Sequence, residues 1–440
     1  MSRRIYLIAV LVLIALPLWA QMDSSGAAPA GIEAPMINPT SINDEGYSMA
    51  FASETPRTNY LRGALNVGTA YDDNILLSNG PGISDIRYSI VPSISLEQSR
   101  SRLRWNVDYS PWFTFYQQHS SINEIDQNVA IGLDYRLSPN VTMSIRDTYQ
   151  KTSDLLSLSG QDTTGSTPPV VPVTTGSIVP PTATSRITTL NDVELTYQFS
   201  ENAMVGAKGT MAGLWYPDRA TLPGLFDSTS ESGQGFYTRR VSRRHYIGTT
   251  YEFQRLLTQP SQETQTQSTF GFYTLYLPPT LSFSVFAGPE HSETSGGTAT
   301  PHAQWSPAAG GSFGWHSTRS SFVLTGVKRI SDGGGLSGAV NSRSADAAVR
   351  WQMARTFTAG MGVGYSSSKV LDSLLPFSSG GHTWAGTVFV QHPLGERLVV
   401  QLRYTRLHQS YTDVSALSSA PDRNNIGVSL SYQFERALGR

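Results

Sequence analysis

Apolar and polar side chains alternate along most of this chain, and the same kind of turn keeps interrupting the alternation. A run ends in an aromatic or large apolar residue, passes a few turn-forming residues and starts alternating again, as in DYRLSPNVTMSI (134–145), TYQFSENAMVGA (196–207), TLYLPPTLSFSV (274–285) and RWQMARTFTAGM (350–361). Period-two alternation makes each flank a β-strand with one apolar face. Between successive turns of this kind lies a longer and more variable connection, so short turns collect at one end of the strands and long loops at the other. This asymmetry predicts an all-β fold, a closed antiparallel transmembrane β-barrel with short periplasmic turns and longer extracellular loops. Counting from the turns gives about 18 strands, or about 16 if the poorly alternating stretches 234–242 and 304–316 are not strands.

Clean alternation also assigns faces. Leu103, Trp105, Val107 and Tyr109 share one face of their strand, and Val193, Leu195, Tyr197 and Phe199 share one face of theirs. A charge turned to lipid at mid-depth costs ~2–4 kcal/mol, so the charged faces belong to the lumen. The expected lumenal charges are Arg102, Arg104, Asp108, Asp126, Asp134, Arg136, Arg146, Asp192, Glu194 and Arg403, nearly balanced in sign. Aromatics just before the short turns, Tyr135, Tyr197, Tyr276, Trp351, Tyr432 and Phe434, fall at one depth and suit a periplasmic girdle. Trp112, Phe113, Trp215, Tyr365 and Tyr411 are the candidates for the outer girdle.

The rest of the chain divides simply. Residues 1–20 read as a signal peptide, with Arg3 and Arg4 ahead of an apolar run and Ala20 before the expected cleavage. Residues 21–60, rich in Pro, Ala, Ser and Asn, read as a disordered periplasmic tail. The barrel is expected over 61–436, with long extracellular loops near 157–185 and 217–233; Pro168, Pro169, Pro172, Pro180 and Pro181 exclude a central strand from the first. As the third and longest outer loop, it is also the candidate to fold inward and narrow a pore.

Composition removes several function classes. The formal net charge of −1 offers no basic field for nucleic acid, and the absence of cysteine removes disulfides and thiolate-bound metals. The eight histidines have no H-x-x-x-H spacing and no phosphate-loop string occurs, so no cofactor, metal or enzymatic activity is expected. His245 with a serine of a neighbouring strand is the pair a barrel hydrolase would need.

The first strand carries Gly68-Thr69-Ala70-Tyr71-Asp72-Asp73-Asn74-Ile75, a Gly-x-x-Tyr-x-Asp-Asn pattern followed by an apolar residue. With the leader and the repeated turns, it resembles the opening strand of the β-barrel porins of the second family type, outer-membrane barrels often met near exopolysaccharide export genes. The resemblance implies the outer membrane of a Gram-negative-type bacterium. Asp72, Asp73 and Asn74 themselves read as an acidic strand end at the rim rather than a binding site. Ile426, Val428, Leu430, Tyr432 and Phe434 make an apolar stripe on the last strand, resembling the signal that the barrel assembly machinery recognises. The functional expectation is a porin-like channel passing small hydrophilic solutes through a wet lumen. A component of exopolysaccharide secretion or anchoring is the alternative, and an outer-membrane hydrolase a third. Expected partners are outer-membrane lipid, lipopolysaccharide and the assembly machinery, without nucleic acid.

Overall fold

The computed structural model describes residues 59–77, 82–153, 184–220, 225–259, 262–277, 281–296, 302–317, 319–336, 338–354, 356–371, 380–395, 397–412 and 422–438. The expected signal peptide, nearly all of the expected tail, and residues 154–183 of the expected third loop lie outside these. The chain divides into Met1–Pro35 and Met36–Arg440, and the second unit holds every described residue. Its strands are β1 (Tyr60–Asp72), β2 (Asp85–Ser99), β3 (Leu103–Tyr116), β4 (Glu124–Ser138), β5 (Val141–Thr152), β6 (Arg186–Ser200), β7 (Ala203–Trp215), β8 (Ser228–Arg240), β9 (His245–Thr258), β10 (Gln262–Leu277), β11 (Leu281–Gly296), β12 (His302–His316), β13 (Ser320–Ser331), β14 (Val340–Gln352), β15 (Thr358–Val370), β16 (Gly380–Pro393), β17 (Leu398–Thr412) and β18 (Asp422–Ala437).

Each strand pairs antiparallel with its sequence neighbours, and β1 pairs with β18, so the 18-stranded sheet closes on itself. Closure has a physical cause: a strand edge facing hydrocarbon would strand a row of amides with no partner. Both stretches of poor alternation are strands. β8 begins at Ser228, which shortens the outer loop expected near 217–233. Its sequence STSESGQG has almost no apolar alternation to read, yet β7 and β9 hydrogen-bond it from both sides. The outer connections are not all long either, since Thr258 of β9 and Gln262 of β10 flank only residues 259–261.

The two faces differ as the alternation requires. Outward-facing Leu65, Val67, Tyr71, Val193, Leu195, Ile426 and Val428 are exposed. Inward-facing Asp72, Asp126, Asp192, Lys208, Glu252, Glu290 and Arg423 are buried. An apolar exterior around a charged interior is the reverse of a water-soluble protein and suits a lipid surround.

One place in the wall is not continuous. β12 and β13 pair from His316↔Ser321 only as far as Ala309↔Lys328, while β12 stays on β11 out to His302 and β13 stays on β14 out to Ser331. Pro307 falls in the unpaired half of β12, where its missing N–H costs no ladder bond. Beyond Lys328, β13 therefore parts from β12 while staying in the sheet on its β14 side.

Candidate functional site

The site is the lumen, and its wall is built from inward residues that pair across neighbouring strands. Lys208 of β7 meets Asp192 of β6 at 3.3 Å, and Thr210 donates to the same carboxylate at 2.6 Å. Near the short-turn end, Glu97 of β2 lies 3.1 Å from Arg104 of β3 and 3.5 Å from Arg62 of β1. Asp134 of β4 accepts from the Ser144 hydroxyl at 2.7 Å, and Asp126 accepts from the Ser153 amide at 2.9 Å. In a desolvated wall each carboxylate needs such partners, because an unpaired buried charge is costly.

The end of β13 that parts from β12 is tied to inward side chains of β9 and β11. Arg329 reaches Glu252 of β9 at 3.1 Å, and the Ile330 amide, freed from the β12 ladder, donates to Glu290 of β11 at 3.0 Å. Ile330 packs with Leu256 of β9 and with Ala339. The turn that follows runs through Gly333, Gly334 and Gly335 at φ of +69°, +56° and +112°, a path that residues with a Cβ resist.

That glycine turn meets the connection between β7 and β8. The Tyr216 hydroxyl donates to the Gly334 carbonyl at 3.1 Å, and the Phe226 amide donates to the Gly335 carbonyl at 3.0 Å. Leu214, Tyr216, Leu225, Leu336, Val340, Val370 and Tyr411 form one buried apolar cluster. Its end members sit on β7 and β17, nearly opposite each other in a ring of 18 strands. The outer end of the lumen is thus spanned by an apolar bridge. Burial pushes the Tyr216 phenol up to about 12, with nearby Arg186 opposing. Burial likewise raises the Asp332 carboxyl above its ordinary value, against the Gly334 amide and Arg186.

Arg104, Asp108, Asp126, Asp134, Arg136, Arg146, Asp192, Glu194 and Arg403 lie on the inward parity of their strands. Arg102 does not: it sits exposed in the turn before β3, where its carbonyl accepts from the Arg136 amide. Tyr135, Tyr197, Trp351, Tyr432 and Phe434 face outward and are exposed.

Tyr276 faces the lumen, edge-on to buried Tyr246, because Leu275 and Leu277 take the outward parity of β10. Trp112 and Tyr411, expected in the outer girdle, are also inward and buried, sharing parity with Thr114 and Gln409. His245 bonds the Tyr273 hydroxyl at 2.7 Å rather than a serine.

Sequence reasoning missed the bridge and the ion pairs of β7, β9 and β13. Lys208, Glu252 and Arg329 stand among small or mixed neighbours, so no clean apolar alternation marks their faces. Gly333-Gly334-Gly335 was the one available signal, since a glycine triplet between two strands announces an unusual backbone path.

No protein-family model matches the chain, and no curated protein matches it. Solved structures resemble it in fold at low similarity. Acinetobacter baumannii OccAB4 aligns with a TM-score of 0.44 and 10% identity, over 86% of this chain and 98% of that one. Pseudomonas aeruginosa OccK2 (OpdF) aligns at 0.43 and 12%, over 85% and 98%. The outer membrane protein opdK from Pseudomonas aeruginosa aligns at 0.40 and 12%, over 86% and 98%. The fold assignment stands on the strand register itself.

Proposed function

We propose that the protein is an outer-membrane channel that lets small hydrophilic solutes pass passively through a lumen of mixed charge. The observation that carries this reading is the inverted wall of the closed sheet, with apolar residues outside and polar residues inside, ion-paired at Asp192–Lys208, Glu252–Arg329 and Asp72–Arg423. Barrels of ~16–18 strands are wide enough for an aqueous bore, and here the bridge narrows the outer end. In this reading the outward faces meet lipid and lipopolysaccharide, and the apolar stripe of β18 is the mark read by the assembly machinery.

The barrels that the opening strand resembles suggest passage of an exported polysaccharide as a second role. The bridge weighs against it, because a linear polymer needs a continuous bore. A hydrolase is weaker still, since His245 is engaged by a tyrosine.

The test is planar-bilayer recording of the refolded full chain. Discrete conductance steps that grow with salt concentration are expected. A heat-modifiable barrel that inserts but never conducts would overturn the proposal.

A further inference from the structure

The exterior of the barrel is chemically lopsided at its long-loop end. On β13–β17, outward parity places Lys328, Arg343, Lys369, His382 and Arg406 just beyond the outward Tyr365, Trp384 and Tyr404. Register brings them into one patch. Lys328 is directly opposite Arg343, Arg343 is opposite Ser367, and Ser367 is opposite His382. The Arg406 guanidinium lies 5.5 Å over the Trp384 ring, and the His382 and His408 rings are 5.8 Å apart. Among the described residues the acid within the patch is Asp422, at its edge, bonded to His408 at 2.7 Å and to Arg406 at 3.4 Å. Arg343 and Lys369 are exposed, and among the described residues neither they nor Lys328 forms an ion pair.

The wall of β8–β11 at the same end has the opposite character. There Glu231, Glu263 and Glu293 face outward around Arg255, whose guanidinium is held by Glu263 at 2.8 and 3.0 Å.

We infer that the basic patch of β13–β17 binds the phosphate groups of an outer-leaflet phosphoglycolipid, with its sugar headgroup beside Trp384 and Tyr365 and its acyl chains on the apolar wall below. Three features select this occupant. The cations are on the lipid-facing side, so a solute in the lumen cannot reach them. They stand immediately above aromatic side chains of the kind that mark a membrane interface. Finally, several uncompensated cations within reach of one another match a headgroup carrying more than one phosphate, whereas a zwitterionic headgroup would leave them unneutralised. The inference rests on the reading of the barrel as an outer-membrane protein.

The test uses the full chain refolded in detergent free of lipopolysaccharide. Insertion into vesicles and heat-modifiability are scored first. Binding is then measured by native mass spectrometry for bis-phosphorylated lipid A and for the same lipid stripped of both phosphates. Wild type should prefer the phosphorylated lipid by roughly a hundredfold, from several cations each near one headgroup. The triple variant Lys328→Gln, Arg343→Gln, Lys369→Gln should lose that preference while still inserting, and Glu293→Gln on the acidic wall should keep it. Equal binding of the two lipids, an unaltered triple variant, or displacement of lipid A by millimolar inorganic phosphate would each overturn the inference while leaving the channel intact. Failure of the wild type to insert would instead overturn the membrane reading on which it depends.

Discussion

Asp72 and Arg423, 351 residues apart in the chain, form a doubly contacting, fully buried ion pair across the seam between the first and last strands. Arg423 Nε donates to both carboxylate oxygens, at 3.1 and 2.9 Å, and Nη2 donates to Oδ2 at 2.7 Å. Asn425 adds a third donor group at 3.1 Å, and Asp73 next door accepts from the Asn424 amide and side chain. The Tyr-x-Asp-Asn motif therefore clasps the barrel shut at its outer end. Removing one partner of such a pair leaves a bare buried charge at a cost of ~3–5 kcal/mol, whereas neutralising both costs far less. Arg423→Ala should lower the urea midpoint of the refolded barrel sharply, and Asp72→Asn combined with Arg423→Gln should recover most of the loss. Equal damage from the single and double changes would remove the ion pair as the cause.

The apolar bridge should set the conductance. A Cβ at Gly335 would meet the Tyr216 hydroxyl at 2.7 Å and would also have to sit at φ +112°. Gly335→Val should therefore expel the turn from the lumen and raise single-channel conductance, with the barrel still folded and heat-modifiable. Tyr216→Ala should act in the same direction, more weakly. Unchanged conductance in both would place the narrowest point elsewhere.

Acidity should hold the bridge in place. Because burial raises the Asp332 carboxyl above its ordinary value of 3.8, the docked turn binds a proton more tightly than the released turn. That contribution is complete below 3.8 and is lost as pH rises through the higher docked value, so conductance should increase with pH across this window. Asp332→Asn, neutral throughout, should flatten the dependence in bilayer recordings.

Lumenal charge should govern ion preference. Arg104, Arg136 and Arg146 face inward against acids in similar number, and fields in a wet pore are screened within ~8–10 Å at physiological salt. The triple change of these three to Gln should move the reversal potential in a salt gradient toward cation preference while assembly proceeds. A shift toward anions would contradict their lumenal placement.

The outward wall should respond to polarity in the opposite sense. Arg introduced at Val107 or Leu133 should impair assembly by ~2–4 kcal/mol per site. Asp147 is the informative native case: it faces outward within β5, opposite Ile131 on one side and Asn191 on the other. Asp147→Leu should raise the folding yield into vesicles. If it lowers the yield, Asp147 has a partner in the membrane.

The sequence by itself determined the strands, their order and most of their faces. Period-two alternation is a local property, and a turn of two or three residues such as Pro139-Asn140 leaves a strand nowhere to pair except beside its predecessor. Alternation stops being informative where both faces carry apolar or small residues. This is why Tyr276, Trp112 and Tyr411 turned inward unannounced and why β8 looked weak. Only the tertiary structure decided what fills the barrel. The splay of β12 from β13, the turn at Gly333–Gly335, the cluster joining β7 to β17 and the clasp of Asp72 by Arg423 all bring together residues far apart in the chain. Their favourable contacts exist only after closure has fixed opposite walls at a set distance, and no short-range pattern records that distance.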